Sequence, residues 1–199
     1  MTDLLLPIIV AYLLGSIPFG LIFTRVLTGK DPRQHGSGNI GATNAMRTGG
    51  KRVGVLTLAA DIAKGALPVA WAVHNGDEQL TAMMASAAFL GHIFPVWLKF
   101  RGGKGVATMF GVVIPWHLAV AAIAFGFWLL LFKISRYVSL ASIGAAVALP
   151  VSAFALGGSM PMVAACSLFA ALGIYRHWEN IDRLRRGVEH RAGESSGQG

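Results

Sequence analysis

The chain carries a series of apolar runs long enough to cross a lipid bilayer, and this feature limits what it can fold into. A membrane-spanning helix needs about 20 predominantly apolar residues, and such runs cover most of the 199 residues. Hydrophobic residues make up 54% of the chain and charged residues only 13%, whereas soluble domains carry about 25% charged residues. The sequence therefore predicts an all-α polytopic membrane protein.

Seven apolar segments are predicted to span the membrane, some of them short. Pro115, Trp116 and His117 interrupt the run at 106–132, which we interpret as two short spans rather than one. A re-entrant hairpin at 106–114 is the alternative. The segment from Gly15 to Gly20 predicts a kinked, closely packed first span. The predicted spans are 4–24, 53–73, 80–98, 106–114 with a short extension, 118–132, 138–156 and 161–175.

The distribution of Lys and Arg predicts the orientation of these spans. A net charge of +8 would suggest nucleic acid in a soluble protein, but here the cations lie in short loops between apolar runs. Cytoplasmic loops carry the excess of Lys and Arg. The N-terminus is therefore predicted outside and the C-terminus in the cytoplasm, and nucleic acid is excluded as a partner. The basic loops are 25–52, 99–104, 133–136 and the segment from 176 onwards.

One integral membrane domain is predicted over 1–191, followed by a disordered small and polar tail at 192–199. The start of the chain lacks the basic region of a signal peptide, so we expect the first run to remain as a span. The lone cysteine, Cys166, allows no intrachain disulfide or cysteine-rich zinc site, and we interpret it as a packing residue.

Residues 37–47 form the first of three polar islands, all in loops predicted to face the cytoplasm. Glycines let the backbone approach a ligand closely, hydroxyl and amide groups donate neutral hydrogen bonds, and an arginine fork suits phosphate. The island predicts a phosphate or polyol site, with a turn-rich connector as the alternative. Its candidate binding residues are Ser37, Gly38, Asn39, Gly41, Thr43, Asn44 and Arg47.

The second island, Arg101 to Gly105, precedes an apolar segment. Small residues that lead into a helix leave N–H groups pointing at an anion, and Lys104 adds a full charge. We predict a phosphate site formed by Gly102, Gly103, Lys104 and Gly105, although a flexible loop that obeys the charge rule has the same composition.

The third island begins at His177, where the last span ends, and includes Asn180. A histidine beside an amide and among cations suits either a base or a phosphate donor. His177 and Asp182 also match an H-x-x-x-x-D pattern of another class of acyltransferases, which we interpret as a coincidence.

Two polar features lie within predicted spans. Asp61 and Lys64 are three residues apart on one helical face, so we predict that they pair, in a functional or a structural role. Ser139 and Ser142 begin a later span, and Ser142 is a candidate binding residue. His92 has no second ligand at i+3 or i+4, so a metal site is not predicted there.

These islands, in this order, resemble the bacterial acyl-phosphate:glycerol-3-phosphate acyltransferases, the PlsY family. The likeness covers nearly the whole chain, and one departure is Trp178, where family members often carry Arg. The matching segments are AYLLGSIPFG at 11–20, SGNIGATN at 37–44, Asp61 with Lys64-Gly65, GHIFPVWLKFRGGKGVAT at 91–108, RYVSLAS at 136–142 and the tail with His177, Asn180-Ile181 and Arg183-Leu184.

The resemblance implies an enzyme of the bacterial inner membrane with seven spans and a cytoplasmic active site. It implies that an acyl phosphate donates the acyl group to glycerol 3-phosphate, giving 1-acylglycerol 3-phosphate. The sequence itself predicts no metal and no cofactor. An enzyme that supplies acyl phosphate is the expected functional partner. Family binding residues correspond to Ser37, Asn39, Asn44, Arg47, Lys104, Ser142, His177 and Asn180.

An acyl phosphate is already activated, so such an enzyme need only position its substrates and stabilise charge. We expect the first island, His177 and Asn180 to hold glycerol 3-phosphate, and Lys104 and Ser142 to hold the acyl phosphate. The base is either His177 or the substrate's own phosphate. Two alternatives stay open: a transporter of a small phosphorylated solute, and an acyltransferase that uses a thioester through His177 and Asp182.

Overall fold

The computed structural model of the chain describes residues 2–75 and 78–193, and within these ranges every regular element is helical. The all-α prediction is confirmed for this part of the chain. Short 3-10 turns occur at Pro32–Gln34 and Val96–Leu98. The helices are α1 (Thr2–Gly15), α2 (Phe19–Thr28), α3 (Ala42–Gly49), α4 (Lys51–His74), α5 (Glu78–Ile93), α6 (Val106–Trp116), α7 (Leu118–Ser135), α8 (Val138–Ala155), α9 (Met160–Arg176) and α10 (Trp178–Arg185).

Six of the predicted spans each correspond to one apolar helix, and the first corresponds to α1 and α2 together. In the described residues, five stretches are long and apolar enough to cross a membrane, and α6 and α9 are shorter apolar helices. The number of crossings and the orientation of the termini stay predictions. The five stretches are Leu4–Thr28, Lys51–His74, Glu78–Leu98, Leu118–Ser135 and Val138–Ala155.

The break predicted at Pro115-Trp116-His117 is confirmed. Pro115 lies in the last turn of α6, where it cannot donate a helical hydrogen bond. His117 is extended, with φ −154° and ψ 92°, and α7 begins at the next residue. The apolar run at 106–132 is therefore two helices.

Packing divides the chain into two compact units, unit 1 ending at Leu118 and unit 2 beginning at Ala119. In unit 1, α4 packs against α2, α3, α5 and α6, and α1 packs against α5. In unit 2, α8 and α10 both pack against α9. The single membrane domain over 1–191 stays a prediction. Of the predicted tail, 194–199 lie outside the described residues.

Two glycines bring the backbones of α1 and α5 into contact. A Cβ on Gly15 would overlap the carbonyl of Ala88, and a Cβ on Gly91 would overlap the carbonyl of Tyr12. The Tyr12 hydroxyl also donates to the Phe94 carbonyl at 2.7 Å. Small residues at such crossings are typical of membrane helices, so the closely packed first span is confirmed.

The first span is broken between α1 and α2, and a lysine from α4 fills the break. The Lys64 ammonium donates to the Ile17 carbonyl at 2.9 Å and lies 2.8 Å from Oδ1 of Asp61. Both charged side chains are buried, with 3% and 2% exposed. The predicted pairing of Asp61 with Lys64 is confirmed. Lys64 also supplies a hydrogen-bond donor to the Ile17 carbonyl, which the break leaves outside the regular hydrogen bonds of a helix.

Replacement of Asp61 by Ala should destabilise the protein by about 3–5 kcal/mol, because it leaves the Lys64 charge buried and unpaired. The double variant Asp61→Ala/Lys64→Met should recover part of that loss, because no buried charge remains. Thermal unfolding of the purified variants in one detergent measures both effects. Equal stability of the single and double variants would contradict the prediction.

Candidate active site

The loop between α2 and α3 is organised around Asn44, whose side chain is buried. Its Oδ1 accepts from the Ser37 N–H at 2.9 Å. Its amide nitrogen donates to the carbonyls of Pro32 at 2.8 Å, His35 at 3.1 Å and Asn39 at 2.8 Å. An amide has two N–H groups, so these contacts engage the whole side chain. Asn44 thus sets the shape of the loop, and its contact with substrate stays a prediction.

The glycines of this loop have conformations that other residues rarely adopt. Gly36 has φ +60° and Gly38 has φ +70°, which is the left-handed region that glycine favours. A Cβ on Gly36 would also overlap Oδ1 of Asn44. Gly41 caps α3 and donates its N–H to Oδ1 of Asn39 at 3.2 Å.

Three side chains of the loop are available to a ligand. The Ser37 hydroxyl is partly exposed, Thr43 is exposed in the first turn of α3, and Arg47 is exposed in its last turn. In the part of the chain that the structure describes, the Arg47 guanidinium has no hydrogen bond or ion pair within the molecule. An unpaired guanidinium beside a rigid loop suits a phosphate group.

The other arginines near this loop are engaged with Asp31. The Asp31 carboxylate accepts from Arg33 at 2.7 Å and from Arg25 at 2.6 Å. The hydrogen bond from Arg33, aided by Arg25, outweighs desolvation and holds the pKa of Asp31 well below its usual range. Arg47, rather than Arg25 or Arg33, is therefore placed to meet an anion.

Residues 101–105 fold back onto the end of α5 and lead into α6. The Gly102 N–H donates to the Ile93 carbonyl at 3.1 Å, and the Gly103 N–H donates to the His92 carbonyl at 3.2 Å. Gly105, with φ +83°, precedes the first turn of α6. The first N–H groups of a helix have no partner within it and stabilise a negative charge. Lys104, half-buried in this loop, adds the positive charge of its ammonium group to the partial positive charge of these N–H groups.

In unit 2, His177 lies between α9 and α10 and is 4% exposed. Its Nδ1 is 2.7 Å from the Gly173 carbonyl. A carbonyl can only accept, so Nδ1 carries the proton and the lone pair of the neutral ring is on Nε2. This tautomer is the one that a general base at Nε2 requires.

Glu189, which was not among the residues predicted from the sequence, contacts the predicted site residue Asn180. Its Oε1 accepts from the Asn180 amide at 2.6 Å and from the Ser139 hydroxyl at 2.7 Å, and its Oε2 accepts from Arg183 at 2.7 Å. The chain after α10 thereby folds back onto the start of α8. No periodicity marks a residue in an irregular segment, so the only sequence signal was an acidic residue among the arginines of the tail.

Ser142 lies one turn into α8 and is 3% exposed. Its hydroxyl donates to the Val138 carbonyl at 2.7 Å and accepts from the indole N–H of Trp128 at 3.2 Å. Its proton is therefore engaged within the helix, and its predicted contact with substrate stays a prediction.

Asp182 is unlike His177 in its surroundings. Its side chain is 54% exposed and lies 3.3 Å from Arg186 on the next turn, whereas His177 is buried. An exposed ion pair between residues four apart in a helix contributes little to stability. Asp182 is therefore best described as a surface residue.

The predicted site residues thus fall into both units. In unit 1 the structure gathers the first island around Asn44 and sets residues 102–105 on the end of α5. Unit 2 contains Ser142, His177 and Asn180. Over 2–75 and 78–193, no three or more His, Cys, Asp or Glu side chains group in a way that could hold a metal ion.

A sequence profile described as glycerol-3-phosphate acyltransferase matches residues 5–187 of the chain. The chain belongs to the glycerol-3-phosphate acyltransferase family. It is 45% identical to the glycerol-3-phosphate acyltransferase of Syntrophotalea carbinolica, over 96% of this chain and 98% of that protein. It is 47% identical to that of Caulobacter vibrioides, over 94% of this chain and 87% of that protein.

Solved structures of another glycerol-3-phosphate acyltransferase have the same fold. The crystal structure of PlsY, an integral membrane enzyme, in its glycerol 3-phosphate form matches with a TM-score of 0.93 and 44% identity, covering 96% of each chain. Its lysophosphatidic acid form matches with a TM-score of 0.89 and 42% identity, again over 96% of each chain. The resemblance inferred from the motifs is confirmed, and the chain is an integral membrane enzyme of this family.

Replacement of Glu189 by Gln should lower kcat/KM about tenfold, because a hydrogen bond to a charged group contributes about 1.5–3 kcal/mol. The Gln amide has one acceptor oxygen, so it cannot accept from both Asn180 and Arg183, and its nitrogen faces one of these two donors. Steady-state kinetics of the purified variant measures the loss. Asp182→Asn removes a nearby exposed carboxylate and should leave the activity close to wild type; an equal loss in both variants would contradict the role of Glu189.

Acid should destabilise the contacts of Glu189 in a defined pH range. Burial raises the pKa of Glu189, but hydrogen bonds from Ser139, Arg183 and Asn180 outweigh it and lower the pKa below 4.5. The stabilisation is therefore present above about pH 4.5 and lost as pH falls through the lowered pKa. The difference in Tm between wild type and Glu189→Gln should stay constant from pH 7 to about pH 5 and shrink as the pH falls below about 4.5. A difference that begins to shrink well above pH 5, or that does not shrink at all in acid, would contradict the prediction.

Proposed function

We propose that this enzyme transfers the acyl group of an acyl phosphate to glycerol 3-phosphate. The products are 1-acylglycerol 3-phosphate, which is lysophosphatidic acid, and inorganic phosphate, in the first step of phospholipid synthesis. The observation that carries the proposal is the match over 96% of the chain to PlsY in forms named for glycerol 3-phosphate and lysophosphatidic acid. These are the acceptor and the product of the proposed reaction. The donor is supported by the resemblance of the motifs.

The two loops of unit 1 provide separate phosphate-binding groups. The loop organised by Asn44 binds glycerol 3-phosphate through the Arg47 guanidinium and the Ser37 hydroxyl, with Asn39 and Thr43 beside them. Lys104 and the first N–H groups of α6 bind the phosphate of the donor and stabilise it as it leaves, while Gly102 and Gly103 give the loop its shape. This division is supported by Arg47, whose guanidinium has no hydrogen bond or ion pair among the described residues, and by the position of Lys104 before α6.

In the reaction, the glycerol hydroxyl oxygen attacks the acyl carbonyl carbon and the bond between that carbon and the phosphate oxygen breaks. The hydroxyl proton passes to Nε2 of His177 or to a substrate phosphate, and phosphate leaves with the bonding electron pair. The hydrogen bond from Nδ1 of His177 to Gly173 supports His177 as the base. Asn180, fixed by Glu189, orients the acceptor, and Ser142 contributes to donor binding.

The seven apolar helical stretches among the described residues, with α1 and α2 counted as one, and the basic loops support a seven-span arrangement in the bacterial inner membrane. The N-terminus then lies outside, and the C-terminus and the active site face the cytoplasm, where an enzyme that makes acyl phosphate would supply the donor.

Labelling of single cysteines with a membrane-impermeant maleimide tests this orientation in intact cells. Asn75→Cys should react, and Arg185→Cys should react only after permeabilisation; the reverse pattern would overturn the orientation.

Release of inorganic phosphate from synthetic palmitoyl phosphate, with and without glycerol 3-phosphate, tests the donor. We expect release by the purified protein to require the acceptor and to match the lysophosphatidic acid formed. The control replaces the donor by palmitoyl-CoA. Lysophosphatidic acid formed only from the thioester would replace the proposed donor, and uptake of glycerol 3-phosphate into proteoliposomes without acylation would favour the transporter alternative.

A further inference from the structure

We infer that His92 is a positioning residue that sets the conformation of the 101–105 loop, and that the Asp61–Lys64 pair orients it. The inference deepens the proposed function, because it rests on the proposed phosphate-binding role of Lys104. It assigns a part in the reaction to three ionisable residues that lie outside the residues expected to touch substrate.

The backbone of His92 is the template on which the loop folds. His92 lies in the last turn of α5, and its carbonyl accepts the Gly103 N–H at 3.2 Å. The next carbonyl, that of Ile93, accepts the Gly102 N–H at 3.1 Å. Two successive hydrogen bonds therefore fix the position of the loop against the end of a buried helix. The second of them is made by Gly103, the residue before Lys104.

The imidazole of His92 is in direct contact with the loop as well. A Cβ on Gly103 would overlap Nε2 of His92 and lie 3.0 Å from Cε1. A Cβ on Gly102 would overlap the His92 carbonyl. Any larger residue at 102 or 103 would overlap His92, so glycine is required at both positions. The imidazole ring also limits how far the backbone before Lys104 can move.

The other ring nitrogen of His92 faces the buried pair. Nδ1 lies 3.8 Å from Oδ1 of Asp61, and the same oxygen is 2.8 Å from the Lys64 ammonium. The three side chains are 2–4% exposed. Asp61 is thus placed to favour the ring orientation in which Nδ1 points inward and Nε2 points at Gly103. Because the ring is buried under the loop, His92 acts through Lys104 rather than on the substrate.

The test is the kinetic profile of His92→Phe, which retains a ring and removes both nitrogens. KM for one phosphorylated substrate should rise about tenfold or more, with kcat changed less than about threefold. That substrate should be the one whose KM rises in Lys104→Arg. The control is Thr57→Val, a buried residue of α4 whose hydroxyl donates only to the Val53 carbonyl of its own helix; its KM values should stay at wild type.

A purely structural role would lower Tm and the yield of His92→Phe but leave both KM values of the folded enzyme unchanged, and that result would overturn the inference. A rise in KM for the substrate that Lys104→Arg does not affect would also overturn it. Failure of the proposed function is seen separately, because wild type would then give no product from palmitoyl phosphate, whereas the KM comparison can be made with whichever donor works.

A second pair of variants tests the contact itself. Gly103→Ala should raise KM because the added methyl overlaps the ring. His92→Ala/Gly103→Ala removes the ring, so its KM should be lower than the product of the two single effects predicts. If the KM effects of the two single variants simply multiply in the double variant, the contact between the ring and Gly103 is not the cause of the KM changes, and the inference is overturned.

Discussion

Lys104→Ala should nearly abolish turnover, because it removes the full charge that we propose neutralises the phosphate as it leaves the acyl group. Removal of one neutral hydrogen-bond donor that faces a developing anion lowers kcat by about 10²–10³. We expect removal of an ammonium group beside a phosphate to lower kcat at least as much. Phosphate release and lysophosphatidic acid formation at saturating substrate measure the loss. The helix N-terminus of α6 remains in the variant, so a low residual rate is expected.

Lys99→Ala is the matched control for this prediction. Lys99 lies in the same connection between α5 and α6, is exposed, and makes the same change in net charge when it is removed. It should retain activity within about twofold, since exposed charges away from a site contribute little. Activity of Lys104→Ala close to wild type, or an equal loss in both variants, would contradict the phosphate-site assignment.

His177→Ala should lower kcat by about 10²–10⁴, the range expected when a general base is removed. KM for glycerol 3-phosphate should change much less. The pH dependence of kcat separates the base from a binding residue, because the acidic limb of the profile should disappear in the variant. Purified protein with an unchanged elution profile is required for the comparison.

A loss confined to KM for glycerol 3-phosphate would instead identify His177 as a binding residue and leave the substrate's own phosphate as the base. Asp182→Asn belongs in the same series. A loss of thioester-dependent activity in that variant would revive the pairing of His177 with Asp182, although Asp182 is exposed and lies beside Arg186.

The helices were predictable because each rule involved was local. Proline at position 115 removes a donor wherever it stands, so the division of 106–132 into two helices could be inferred from three residues. Asp61 and Lys64 are one turn apart on one helix, so their pairing needed no knowledge of the fold. The Gly15 and Gly91 contact could be anticipated only in part, because the sequence does not specify which helix approaches which.

The parts of the site that escaped prediction depend on contacts distant in sequence. Glu189 meets Ser139 across fifty residues, and no pattern in an irregular tail indicates that return. Asn44 was predicted to bind substrate, which stays a prediction, but its hydrogen bonds to the carbonyls of its own loop were not foreseen. An asparagine that binds a ligand and one that binds its own backbone look the same in a sequence.

The lysine that fills the break in the first span also bears on how the protein enters the membrane. A charged residue at the centre of a span is costly to insert, and α4 carries two of them. Asp61 neutralises Lys64 within the same helix, and the carbonyl of Ile17, which Lys64 also needs, belongs to a segment that the ribosome makes earlier. When α4 leaves the translocon, the acceptor for its lysine is already in the bilayer. The order of the helices along the chain therefore places the acceptor for Lys64 ahead of the helix that carries this charge.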